Sequence, residues 1–193
     1  MGISITPHGI KITRELSELD NFVLDVVKLI EKYSPYVIVS GYVTILFGRS
    51  RGTEDVDFVV ERIPKEEFIK FCRDAQGSGF EFINPEDCFG LYEMLDGRMS
   101  IRMARRGEII PNAEIKFPKD FFHQEALKKR ISVILNDKQI YISPIELQIA
   151  YKLYLGSDKD VEDAYYLYEL FKENLNRRLL HDYAKRLDIE VPF

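Results

Sequence analysis

Asp55-Val56-Asp57 sets two carboxylates two residues apart, and in a strand residues at that spacing share a face. Like charges held together repel unless a cation or protons relieve them, and hard oxygen ligands so placed suit a divalent ion such as Mg²⁺. An Asp-x-Asp by itself is common on solvated strands, so its weight comes from what precedes it. Val37 to Val39 is an apolar run fit for a buried strand, and Ser40-Gly41 breaks it. Tyr42 to Phe47 can form a short helix that Gly48 stops, and polar Arg49 to Glu54 leads into a second strand, Asp55 to Val60. Core packing alone gives no reason for the polar and glycine positions of this run to fall in that order.

Ser40-Gly41 after a strand, a short helix ending at Gly48, Arg51-x-Thr53 and Asp55-x-Asp57 together resemble the nucleotidyltransferase superfamily that includes DNA polymerase beta. Within it the likeness is to the AbiEii-like proteins and minimal nucleotidyltransferases. The resemblance implies an α/β (α+β) fold, a mixed sheet flanked by helices. It also implies that Ser40, Gly41, Arg51 and Thr53 approach the nucleotide, and that Asp55 and Asp57 hold Mg²⁺ with a third carboxylate from a neighbouring strand. The family's usual Gly-Gly or Gly-Ser turn stands here as Ser40-Gly41.

Glu114 is the expected third acid. Ala113 to Phe117 reads as a strand with Glu114 and Lys116 on one face, whereas Glu108 follows Gly107 in an apparent turn. A second block lies further along the chain. Ser143-Pro144-Ile145-Glu146 has the pattern of a capping box, with Ser143 as N-cap and Pro144 at the first helical position. After Gly156-Ser157 a new helix opens with acids in its first turns, opposing the helix dipole. Lys152 followed by Lys159-Asp160-x-x-Asp163 is similar to the helical region of the AbiEii-like branch, which implies a triphosphate-facing role for Lys152.

Composition excludes several classes. The 193 residues are 46% hydrophobic and 31% charged, a globular balance long enough for a substantial core. A net charge of −5 argues against nonspecific coating of nucleic acid. No apolar run is long enough to span a membrane and the N-terminal residues have no signal-peptide pattern, so a cytoplasmic protein is expected. Cys72 and Cys88 have no metal-ligand spacing and are expected as reduced core thiols. His8, His123 and His181 are scattered, and no serine, histidine and acid arrangement is legible.

The expected organisation is an α/β domain over residues 1–142 and a helical subdomain over 143–193 that closes one side of the cleft. The chain should open with a hairpin turning at Pro7-His8-Gly9, followed by an amphipathic helix from about Thr13 to Tyr33. The implied activity is Mg²⁺-dependent transfer of a nucleoside monophosphate from an NTP to an RNA, protein or small-molecule acceptor. The alternative is a member of the same fold that binds a nucleotide or a protein partner without catalysis, as in a toxin-antitoxin pair.

Overall fold

A computed structural model describes residues 2–6 and 9–193; Pro7 and His8 of the expected hairpin turn lie outside the described residues. The chain begins with β1 (Gly2–Thr6) and β2 (Gly9–Thr13), paired antiparallel, and continues through α1 (Glu18–Ile30) to β3 (Tyr36–Val39). Helix α2 (Gly41–Leu46) and β4 (Asp55–Val60) follow, then α3 (Lys65–Gly77), β5 (Phe80–Phe82), α4 (Cys88–Asp96), β6 (Ile101–Arg105) and β7 (Asn112–Lys116). Helix α5 (Phe121–Lys128) precedes the hairpin of β8 (Ile131–Leu135) and β9 (Lys138–Ile142), and the chain closes with α6 (Ile145–Leu155), α7 (Asp158–Phe171) and α8 (Arg177–Arg186). The strands form one mixed sheet in the order β1-β2-β8-β9-β3-β4-β7-β6-β5.

The motif strands sit at the sheet's centre because both faces of β3 and β4 are apolar outside the two aspartates. Val37, Ile38, Val56, Phe58 and Val59 are fully buried, the pattern of strands covered on both sides. Strand β4 runs antiparallel to β3 and parallel to β7, so its acid end lies beside the turn after β3 and beside the N-terminal half of β7.

Helix α1 is shorter than its apolar periodicity predicts. Strand β2 runs to Thr13, and the helix starts only after Ser17, whose side chain caps the amide of Asp20 in a reciprocal capping box. Fully buried Asp20 also accepts two bonds from Arg14, at 2.6 and 2.7 Å, and one from Tyr42 Oη of α2 at 2.8 Å. Burial favours the neutral acid, but the Ser17, Arg14 and Tyr42 donors outweigh it and hold the Asp20 carboxyl below its usual pKa. Because the folded value is depressed, the contribution is present in full above the unfolded value near pH 4 and is lost as pH falls through the folded one. Urea unfolding from pH 7 downward should show that acid-side loss in the wild type and a flatter profile in Asp20→Asn; identical slopes would remove Asp20 from the account.

Two further expectations are corrected. Ser143 does not cap α6: its amide donates to Ile38 O at 3.0 Å, continuing the β3–β9 pairing, so the N-cap falls on Pro144 with no side-chain bond, and Glu146 accepts from the amide of Asn176 at 2.8 Å instead. Cys72 and Cys88 are joined as a disulfide rather than reduced. Packing of α3 against α4 brings their Cα atoms to 5.9 Å, inside the range a disulfide spans.

Candidate functional site

Register carries the acids together. Asp57 pairs with Val39 on one side and with Glu114 on the other, so the turn at Ser40, the Asp57 carboxylate and Glu114 converge at one end of the central strands. Asp55 lies opposite Asn112 rather than an acid, and the Thr53 hydroxyl donates to its carbonyl at 2.9 Å and lies 3.4 Å from its carboxylate. Among the described residues no three acid, imidazole or thiol side chains gather about one point, and Asp57 faces Glu114 whereas Asp55 faces Asn112. Fit to a divalent ion rests on the pair Asp57 and Glu114.

A cation already stands between that pair. Lys116 Nζ lies 2.6 Å from Asp57 Oδ1 and 3.0 Å from Glu114 Oε1, while Arg102 Nη2 of β6 is 3.2 Å from Glu114 Oε2. Lys116 reaches both because it is two residues beyond Glu114 on the same face of β7. Burial works against the Lys116 ammonium, but Asp57 and Glu114 together more than offset it and raise its pKa. Burial likewise raises Glu114, and Lys116, Ser100 and Arg102 outweigh it to leave the carboxyl below its usual range. Glu114 and Lys116 are therefore both ionised near neutral pH. The repulsion between Asp57 and Glu114, which face each other across β4 and β7, is relieved here by the chain's own lysine.

A second charged group ties the C-terminal helices to the motif turn. Asp163 of α7 is fully buried and meets Arg49 Nε at 2.7 Å, Lys152 Nζ at 2.7 Å and Arg51 Nη1. Lys152 is only 2% exposed and also lies 3.2 Å from Asp160, so it is no solvated helix lysine. Gly41 lets Arg51 approach closely: a Cβ at that position would stand 3.0 Å from Arg51 Nη2, so the guanidinium would have to shift by a few tenths of an ångström. Gly48 adopts φ 100°, which turns the chain after α2 so that the Arg49 amide bonds Thr44 O at 3.0 Å and its guanidinium reaches α7. The contact is held from the apolar side by Phe47 against Phe171, ring centroids 4.8 Å apart, and by Tyr166 Oη donating to Phe47 O at 2.9 Å.

Between the two charged groups lies a cleft of about 230 Å³. Val39, Ser40, Asp57 and Lys116 line its sheet side, Phe122, His123 and Ala126 of α5 one wall, and Leu147, Gln148, Tyr151, Lys152 and Leu155 of α6 the other. Of the residues expected from sequence, Ser40, Asp57 and Lys152 reach the cleft; Glu114 joins through Asp57 and Lys116; Arg51 joins through Asp163; Gly41, Thr53 and Asp55 support the turn and strand behind it. Sequence reasoning missed Lys116, Asp163 and His123. The alternation that pointed to Glu114 already put Lys116 on the same face. His123 had no legible signal. Its imidazole is kept below its usual pKa first by burial, with Lys116 and Lys119 adding to this against Asp120, and so it stands neutral near pH 7.

Ser40 takes φ 64° and ψ −136°, a conformation that glycine adopts freely and an L side chain does not. Strain of this kind costs about 1–3 kcal/mol, and the greater unfolded-state entropy of glycine offsets up to about 1 kcal/mol of the relief. Ser40→Gly is expected to stabilise the fold by about 1 kcal/mol, read as a raised thermal midpoint. A lowered midpoint would mean that the serine hydroxyl is an anchor of the turn.

No protein-family model matches the sequence, and no curated protein does. Solved structures do. The chain is similar to an antigenic nucleotidyltransferase-like protein from Paracoccidioides brasiliensis, with 18% identity, a TM-score of 0.51, and 86% of this chain and 85% of that one covered. It is also similar to JHP933 from Helicobacter pylori, with 20% identity, a TM-score of 0.50, and 86% of this chain and 72% of that one covered. At 18–20% identity the likeness is one of fold: the mixed sheet flanked by helices is shared with these nucleotidyltransferase-like structures. Among the described residues no helix is long and apolar enough to cross a membrane.

Proposed function

We propose that the chain is a nucleotidyltransferase of the AbiEii-like branch that binds an NTP in this cleft and passes its nucleoside monophosphate to an acceptor. The observation that carries the reading is the meeting of Asp57 and Glu114 across β4 and β7 at the mouth of a cleft whose far wall presents Lys152. Phe122, Leu147 and Tyr151 offer an apolar wall for a base or ribose. The volume is below the ~300–1,000 Å³ usual for small-molecule sites, so a triphosphate would extend from the cleft over the Ser40-Gly41 turn toward Lys152 and Arg51. Those two cations offset charge that develops on the phosphoryl oxygens.

In the transfer, an acceptor hydroxyl oxygen bonds to the α-phosphorus as the bond to the bridging α–β oxygen breaks. Pyrophosphate leaves, and the hydroxyl proton passes to a carboxylate of the pair. Mg²⁺, held by Asp57 and Glu114 with Asp55 on the same strand face, would supply neutralisation of the phosphate charge. The acceptor belongs to the RNA, protein or small-molecule classes. A cytoplasmic site and a cognate protein partner for the C-terminal helices, as in a toxin-antitoxin pair, are part of the same proposal.

The Asp57–Lys116–Glu114 contacts favour one second reading, a member that binds nucleotide without transferring it. Calorimetric titration with each NTP, with and without Mg²⁺, followed by a pyrophosphate-release assay over a panel of acceptors, separates the two. Binding with pyrophosphate release supports transfer. Binding without release under every acceptor supports the second reading, and no nucleotide binding defeats both.

A further inference from the structure

We propose that Lys116 is the resident cation of the acid pair, so that a divalent ion reaches Asp57 and Glu114 only by displacing its ammonium. The geometry is specific. One Nζ lies between the two acids, 2.6 Å from Asp57 and 3.0 Å from Glu114, and Arg102 takes the remaining oxygen of Glu114 at 3.2 Å. The lysine side chain is 14% exposed and lines the cleft, so a displaced ammonium has open space on that side. With Lys116 and Arg102 both in place the two carboxylates are offset to about zero net charge, whereas without Lys116 about one negative charge is left, and a fixed positive charge nearby repels an arriving cation. Metal binding is accordingly weak until another anion draws Lys116 away. A nucleotide triphosphate is suited to do so, because a lysine ammonium is a compact charge for phosphoryl oxygens. Metal and nucleotide then bind cooperatively, each favouring the other by the same factor.

The nucleotide half of this proposal rests on the function proposed above; the metal half does not. The test is therefore made in two arms. In the first, Mn²⁺ alone is titrated into wild type, Lys116→Met and Lys116→Gln, with free Mn²⁺ read by electron paramagnetic resonance and folding checked by circular dichroism. Loss of the ammonium is expected to tighten Mn²⁺ binding by at least about tenfold, and the gain should vanish when Asp57→Asn is added. Equal Mn²⁺ affinity with and without Lys116, a gain that survives Asp57→Asn, or stoichiometric binding by the wild type alone at micromolar Mn²⁺ overturns the proposal. Should the methionine variant fail to fold, the glutamine variant and the wild-type titration still decide it. In the second arm a non-hydrolysable ATP analogue is added. It should tighten Mn²⁺ binding to the wild type and have a smaller effect on the Lys116 variants. An analogue that does not bind at all defeats the nucleotide reading while leaving the first arm's result standing.

Discussion

Asp163→Ala is expected to destabilise the protein by roughly 3–5 kcal/mol, the usual cost of removing one partner from a buried charged group. The carboxylate is fully buried, and it accepts from Arg51 while Arg49 and Lys152 each approach to 2.7 Å. Without it, Arg49 keeps Glu162 at 2.6 Å and Lys152 keeps Asp160 at 3.2 Å, but Arg51 loses the one carboxylate paired with it among the described residues, and the three cations face each other. Urea unfolding measures the effect. Lys159→Ala, at an exposed position in the first turn of the same helix, is the control and should change stability by less than about 0.5 kcal/mol. A loss below about 1 kcal/mol for Asp163→Ala would mean that the cations turn to solvent and that α7 is held by its apolar contacts alone.

Asp57→Asn should lower NTP turnover by about 10³-fold or more, if the proposed transfer occurs, because the residue stands where phosphate charge must be offset and both neighbours of the cleft converge on it. Its effect on folding should be small. Removing Asp57 does not relieve a repulsion, since Lys116 already neutralises it, yet Lys116 retains Glu114 at 3.0 Å and both side chains are partly exposed. A stability loss under roughly 2 kcal/mol is expected. Turnover within tenfold of wild type in a folded variant would remove Asp57 from the chemistry and move attention to Asp55.

Local pattern made much of the architecture legible. Strand periodicity set Asp55 and Asp57 on one face, and the small residues at Ser40-Gly41 and Gly48 marked the ends of β3 and α2, because turns and helix stops depend on a few adjacent residues. Elements failed where a distant strand intervened. Ser143 had every local qualification for an N-cap, but its amide was taken by Ile38, more than a hundred residues earlier in the chain. The start of α1 moved to Glu18 because β2 uses Thr13, and the true capping box, Ser17 with Asp20, has an aspartate where glutamate or glutamine is the usual signal.

The candidate site divides in the same way. The residue types, Asp55, Asp57, Glu114, Arg51 and Lys152, and the faces they occupy on their own strands and helices follow from the sequence by itself, since alternation and helical spacing are properties of the local chain. Which charge meets which was decided only by the tertiary structure. The parallel pairing of β4 with β7 puts Glu114 opposite Asp57 and gives Lys116, rather than a third acid, the place between them. The packing of α7 against α2 buries Asp163 among Arg49, Arg51 and Lys152. Electrostatic interaction depends on separation and on local burial, and for residues 59 positions apart, as Asp57 and Lys116, or 112 apart, as Arg51 and Asp163, neither is encoded in spacing along the chain.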